Sequence, residues 1–267
     1  MAVFAEARLL TSAAPRPVQI LLNGVAAGTQ FEVVGTTADG ARWNVPGGVG
    51  RASGTQVVLI DNRPPLNTSV VYEVTVGRTT YLSNRVFVEF SGPALVQVLD
   101  GRDLVAVEVA TLTEKRAAGT RSSAFEIAGR SDPALRLDVP GSFAYSWELD
   151  TQGRDSVVME RILRTGRPIV RRLEPGMRDL KTVVIGVVTG WSDELVQEGL
   201  DTWRRWSLSV REIADPQPST PLVLFSWDDF DAAMSSRVWS ASEPAVRTFD
   251  ETFDTWDQFD AADWSLL

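Results

Sequence analysis

The sequence predicts a mainly β protein: an N-terminal β-sandwich over residues 1–92, an α+β split-barrel unit with one helix over 93–215, and an extended C-terminal tail over 216–267. Three observations predict it. Short runs of alternating apolar and polar residues recur at close spacing, punctuated by Gly, Pro, Asn and Asp, the pattern of strands joined by tight turns. A single stretch carries helical spacing. The charge is divided, with ten acidic residues and two arginines from Gln217 onward against 25 acidic and 24 basic residues before it, so the acidity of a chain of net charge −9 lies in its tail.

In the first unit, strands are expected over residues 18–22 before Asn23-Gly24, 31–34 before Asp39-Gly40, 56–60 before the Asp61-to-Pro65 turn, 70–76 and 85–90. The core positions this implies are Val33, Leu59, Tyr72, Val74, Phe87 and Phe90, with Trp43 beside them. The glycine-rich run 47–54 lacks the Lys-Ser/Thr ending of a phosphate loop and reads as a flexible loop between strands. Ser91-Gly92-Pro93 marks the boundary to the next unit.

There, residues 95–99 and 104–109 flank Asp100-Gly101, a strong hairpin signal. Residues 114–121 read as a polar, mobile loop. One helix is predicted, capped by Asp155, with Val158, Ile162 and Leu163 as its apolar face and Gly166 with Pro168 as its stop. Strand-like segments lie at 143–149 and 169–173, and a pair at 182–188 and 206–213 closes the unit. The segment 215–221 has the proline-rich composition of an extended linker.

The tail carries a repeat. Trp227-Asp228-Asp229-Phe230-Asp231-Ala232-Ala233 recurs as Trp256-Asp257-Gln258-Phe259-Asp260-Ala261-Ala262, and each copy is followed by a further Trp-Ser, at Trp239 and Trp264. Aromatic rings beside carboxylates suit a groove with a basic rim on a partner, so Trp227, Phe230, Trp239, Trp256, Phe259 and Trp264 are the expected docking residues. Packing of the tail on its own chain, and a calcium site from Asp228, Asp229 and Asp231, are the alternatives; the latter lacks the alternating acidic loop of a calcium hand.

Composition narrows the chemistry. Histidine and cysteine are absent, which removes histidine-based triads, thiol nucleophiles, the usual zinc sites and disulfides, and Lys115 and Lys181 are the only lysines. No enzyme activity, cofactor or metal is expected. Carboxylate pairs such as Glu148 with Asp150, or Glu108 with Glu126, would serve glycoside hydrolysis only across a cleft, and alternating strands place carboxylates in solvent by default. No basic excess points to nucleic acid. No apolar run is long enough to insert in a membrane, and the first residues do not read as a secretion signal. Among the tryptophans, Trp147 and Trp206 read as core, while Trp191 and Trp203, flanking a turn-rich stretch, are the candidates for contact with a sugar.

The run from Pro65 to Val76, with Tyr72, followed by Ser83 to Val88, resembles the last two strands of a fibronectin type III-like sandwich. The segments 125–133, 163–171 and 205–213, in that order around the helix, resemble minor tail proteins, of the distal-tail kind, from bacteriophages infecting actinobacteria; the Trp/Asp-rich C-terminus is similar to tails in that group. This resemblance implies a structural protein of the virion, assembled in the host cytoplasm and placed at the tail tip or baseplate. It implies a homo-oligomeric ring, docked to other phage tail proteins and packed through the edges of split barrels, with the sandwich directed outward toward the host. No catalytic residue is shared by the group, so none is carried over. The alternative function is a carbohydrate-binding, host-surface adhesion protein using the sandwich loops or the exposed tryptophans on a cell-surface glycan.

Overall fold

The computed structural model describes residues 3–10, 15–110, 115–119, 122–125, 132, 134–137, 141–177, 180–197, 202–216, 218–220 and 222. Eight strands make the first unit: β1 (Phe4–Leu9), β2 (Val18–Asn23), β3 (Gln30–Thr37), β4 (Arg42–Arg51), β5 (Gln56–Asp61), β6 (Thr68–Val76), β7 (Thr79–Leu82) and β8 (Val86–Val88). They form two antiparallel sheets, one in the order β1-β2-β5 and one in the order β4-β3-β6-β7, with β8 continuing along the same edge of β6. Alternation decides which side chains meet between the sheets: Phe31, Val33, Val70, Tyr72 and Val74 from one sheet pack with Val18, Ile20, Leu22 and Leu59 from the other.

Of the expected core, Val33, Leu59, Tyr72, Val74 and Trp43 are buried. Phe87 is not. It is 52% exposed, because β8 is three residues long and its inward position is taken by Val88; Phe90 lies beyond the strand and is half-buried. The glycine run is also corrected, since residues 47–51 belong to β4 rather than to a loop. The β3–β4 register shifts between Glu32 and Val34, opposite that run. At Gly48 a Cβ would stand 2.8 Å from the carbonyl oxygens of both Val33 and Val45, so glycine there is what lets a bulged strand pair.

The second unit comprises β9 (Ala94–Val98), β10 (Leu104–Ala106), β11 (Glu108–Val109), β12 (Lys115–Ala118), β13 (Ser122–Phe125), β14 (Ala134–Leu137), β15 (Phe143–Gln152), α1 (Arg154–Arg164), β16 (Ile169–Leu173), β17 (Val183–Gln197) and β18 (Trp203–Glu212). The Asp100-Gly101 hairpin forms as expected between β9 and β10. Eight strands join one antiparallel sheet, β10-β9-β16-β17-β18-β15-β11, with β12 also on β15; β13 and β14 form a separate hairpin. β10 and β11 are successive pieces of one run. The first pairs with β9 and the second with β15, so residues 104–109 bring the two ends of the sheet together around a core that includes Trp147, Leu149, Trp206 and Leu208. The predicted polar loop at 114–121 is in part β12, whose four residues are exposed along β15.

Helix α1 packs on this core through Met159, Ile162 and Leu163, with Val158 half-buried beside them. Its cap is not Asp155, which is the second helical residue. β15 runs on to Gln152, so Gly153 alone must turn the chain, at φ 50°, and no side chain caps the helix. The first turn is instead tied down through Ser156 and Thr151, whose hydroxyls lie 2.8 Å apart, with Trp206 Nε1 donating to Thr151 Oγ1 at 2.8 Å. The helix stops as predicted, at Thr165 and a left-handed Gly166.

Candidate functional site

The two units meet along β16, whose five residues are all buried. A strand lying against solvent on one side shows alternating burial; continuous burial means both faces are covered. Ile169, Arg171 and Leu173 face the second unit, where the Arg171 guanidinium lies 4.3 Å from the Trp147 ring centre. Val170 turns the other way and joins the core of the sandwich, as does Val183 from β17. Arg172 shares that face. It donates from Nε to the carbonyl of Pro64 at 2.6 Å and from Nη1 to Gln97 Oε1 at 3.2 Å, and Gln97 in turn donates to the carbonyl of Asn62 at 3.1 Å. Further along, Leu66 N–H donates to Leu173 and Glu174 N–H to Pro93.

The sandwich answers with a buried carboxylate at the end of β5. Asp61 accepts from Trp43 Nε1 at 2.7 Å, Tyr72 OH at 3.1 Å and the N–H of Arg63 at 2.9 Å. Arg63 donates to the Asn44 carbonyl and forms an ion pair with Asp215, both members almost wholly buried. Burial dominates the electrostatics. It raises the Asp61 pKa above the ordinary carboxylate value against the pull of those donors and of Arg63, and raises that of Tyr72 well above its usual range. It lowers that of Arg172 to about 10, against the opposing fields of Asp61 and Tyr72. Among the described residues, Asn62 Nδ2 and Oδ1, Arg63 Nε and Arg172 Nη2 are buried without a hydrogen-bond partner. A carboxylate, a phenol and two arginines in contact would suit catalysis if a substrate could reach them, but Asp61 and Tyr72 are fully buried and Arg172 is 1% exposed. The cluster is a joint that fixes how the units sit, and its imperfect pairing fits specificity better than stability.

The neighbouring strand behaves differently. β17 pairs with β16 only at 183–186, then continues for eleven residues with β18 alone on one side. Among the described strands nothing pairs with its other edge over 187–197. Residues 189–197 are all exposed, including Trp191, Leu195 and Val196. The hairpin is longer than the sequence indicates: Ser192 to Gln197, expected to be turn-rich, are strand. Arg204 pairs with Asp193 across it, and Arg205 holds Asp150 through two hydrogen bonds of 2.9 and 3.0 Å.

Trp147 and Trp206 are core, as expected. Trp191 is 38% exposed, with its ring 5.9 Å from that of Trp206. Trp203 is half-buried. Trp191 pairs with Leu208, on the face of β18 that carries Trp206, while Trp203 faces the other way. It also lies five residues from Leu208, about 17 Å along the strand. The two therefore do not form one platform. Glu148 and Asp150 do share a face of β15, but Asp150 is buried in its pair with Arg205, and Glu126 lies outside the described residues. So do Trp227, Phe230, Trp239, Trp256, Phe259 and Trp264, and with them Asp228, Asp229 and Asp231.

No protein-family model and no curated protein matches this chain. Among the described residues no helix is long and apolar enough to cross a membrane.

Sequence reasoning missed both features. Residues 169–173, Ile-Val-Arg-Arg-Leu, put one arginine on each face of the strand, which reads as a solvated strand, and nothing local announces that Trp147 and Pro64 will cover the two faces. Asp61-Asn62-Arg63-Pro64-Pro65 reads as a turn, and polar residues in a turn give no local sign that Asp61 and Arg63 are buried.

Proposed function

We propose that the chain is a structural minor tail protein of a phage virion, part of a tail tip or baseplate built by ring packing of its copies and docking to neighbouring tail proteins. The observation that carries this is the unpaired edge of β17 over 187–197. Every second amide and carbonyl of that edge lacks a strand partner, and apolar side chains flank it, which is the combination through which sheets extend from one molecule into the next. A heterologous contact of this kind closes into a ring when the rotation between copies allows. Two other features support the reading. The β1-β2-β5 and β4-β3-β6-β7 order fits a fibronectin type III-like module, and the β9–β18 sheet, brought together by residues 104–109 and capped by one helix, fits a split barrel of the tail-tube kind. The joint at β16 holds the two units in one orientation, as a ring with an outward sandwich requires.

Light scattering on the full chain, alone and mixed with neighbouring tail proteins, tests the proposal. A defined oligomer or a defined complex is expected; a strict monomer in both conditions contradicts it.

The second reading is host-surface carbohydrate binding, favoured by the exposure of Trp191 over the Trp206 ring. Its test is a glycan array with Trp191→Ala and Trp203→Ala. Because the rings face opposite ways, binding is expected to fall with Trp191→Ala and to persist with Trp203→Ala; a silent array removes this reading.

A further inference from the structure

The outward side of α1 gathers arginines around an exposed aliphatic side chain. Arg154, Val157, Arg161 and Arg164 follow one another at spacings of three and four residues, so they line one side of the helix, opposite Met159, Ile162 and Leu163. Val157 is an aliphatic side chain left 65% exposed on it. Together with Glu160, Arg161, Arg164 and Thr165 it bounds an open depression of about 440 Å³. Arg161 is held by Asp103 at 2.5 Å and Arg164 by Glu160 at 2.7 Å, yet both side chains remain more than half exposed. A guanidinium has five N–H donors in a planar fork, so each keeps donors for a second carboxylate. Arg167, paired with Asp100, stands at the end of the same helix.

We propose that this face is the docking site for the Trp-Asp-x-Phe-Asp repeat of the chain's own C-terminal extension. The inference goes beyond the proposed function: it gives the repeat a receptor on this chain's own helix, in place of a groove on a neighbouring protein. Chemistry matches on both sides: a shallow depression around Val157 rimmed by arginines, and a segment in which Trp227 and Phe230, or Trp256 and Phe259, stand beside aspartates. Aromatic anchors in a depression with charges at its rim are how a short segment gains both area and orientation. The path of the chain matches too. Asp215, at the start of the linker, is bound to Arg63. The adjacent Asn62 packs so closely on Gly101 that a Cβ there would lie 2.2 Å from its Nδ2. Gly101 sits between Asp100 and Asp103, the partners of Arg167 and Arg161. The start of the linker is therefore anchored near the loop whose Asp103 pairs with Arg161 of α1. From Leu222, five residues reach Trp227 and 34 reach Trp256, spans of up to about 17 Å and on the order of 100 Å.

The test places the photo-reactive residue p-benzoylphenylalanine at Val157 in the full chain, irradiates it, and maps the cross-links by mass spectrometry. Cross-links to peptides from 223–267 that contain a repeat are expected. Their yield is expected to fall about tenfold in Arg161→Glu with Arg164→Glu, and equally in Trp227→Ala with Trp256→Ala, which leaves the described body untouched. Cross-links confined to the body, none at all, or a yield unchanged by the tryptophan substitutions overturn the proposal. Repeat cross-links in a protein that light scattering finds strictly monomeric keep the docking site and remove the ring; a ring without them does the reverse.

Discussion

β16 and the outer half of β17 are neighbours in one sheet, and they sit at opposite extremes. β16 is covered on both faces and paired on both edges, and its side chains, two arginines included, are taken up by the molecule itself. β17 beyond Gly186 has one partner, and exposed residues from Thr189 to Gln197. The difference shows where the chain completes its own structure and where it leaves bonding groups for something else. Polarity does not mark the distinction: the arginine-bearing strand is inside, and a strand carrying Val187, Val188, Trp191, Leu195 and Val196 runs out into solvent.

The largest effect is expected at the joint. Arg172→Met removes the guanidinium that links Pro64 and Gln97 and that lies in the field of buried Asp61, and should lower stability by about 3–5 kcal/mol in urea unfolding. Adding Asp61→Asn should recover part of that loss, because the two charges are coupled; strict additivity would break the description of the joint as one electrostatic unit.

Asp61→Asn alone should cost about 1–3 kcal/mol, since the amide turns a donor toward the N–H of Arg63. The pH dependence sharpens this. Burial sets the folded pKa of Asp61 above its unfolded value, so on acidification the folded state takes up the proton first. The group's contribution is therefore least favourable above the folded pKa and becomes more favourable as pH falls through it toward the unfolded value near 3.9. The asparagine cannot titrate, so the gap in stability between the two proteins should widen from pH 7 to pH 4.5; a gap that narrows contradicts the sign.

The smallest effect on stability is expected at the open edge. Leu195→Lys should change unfolding by less than about 0.5 kcal/mol, because the residue is exposed, while a charge on an edge strand blocks pairing and should lower the mass seen by light scattering. Equal effects on stability at Leu195 and Arg172 would dissolve the contrast between the two strands.

What the sequence made legible was whatever alternation or turn chemistry encodes locally. Val33, Tyr72 and Val74 follow from period two, the β9–β10 hairpin from Asp100-Gly101, and the end of α1 from Gly166. Phe87 failed by one residue of parity, which is all that separates it from Val88. The cap of α1 failed because β15 extends to Gln152 and forces the turn onto Gly153. Arg171 and Arg172 were illegible for a deeper reason. Their burial depends on Trp147 and on a turn more than a hundred residues upstream, and a strand buried on both faces with arginines on each has the pattern of a solvated one. The open edge of β17 was hidden because strand length is set by pairing with β18, and Ser192 to Gln197 have no strand-like alternation of their own.

Hydrogen exchange across Thr189 to Gln197 in the full chain, compared at low and high protein concentration, tests most directly whether a second copy completes that edge. Slower exchange at high concentration, confined to this segment, with the β16 amides protected at both, is the expected result; rapid exchange that does not depend on concentration would contradict it.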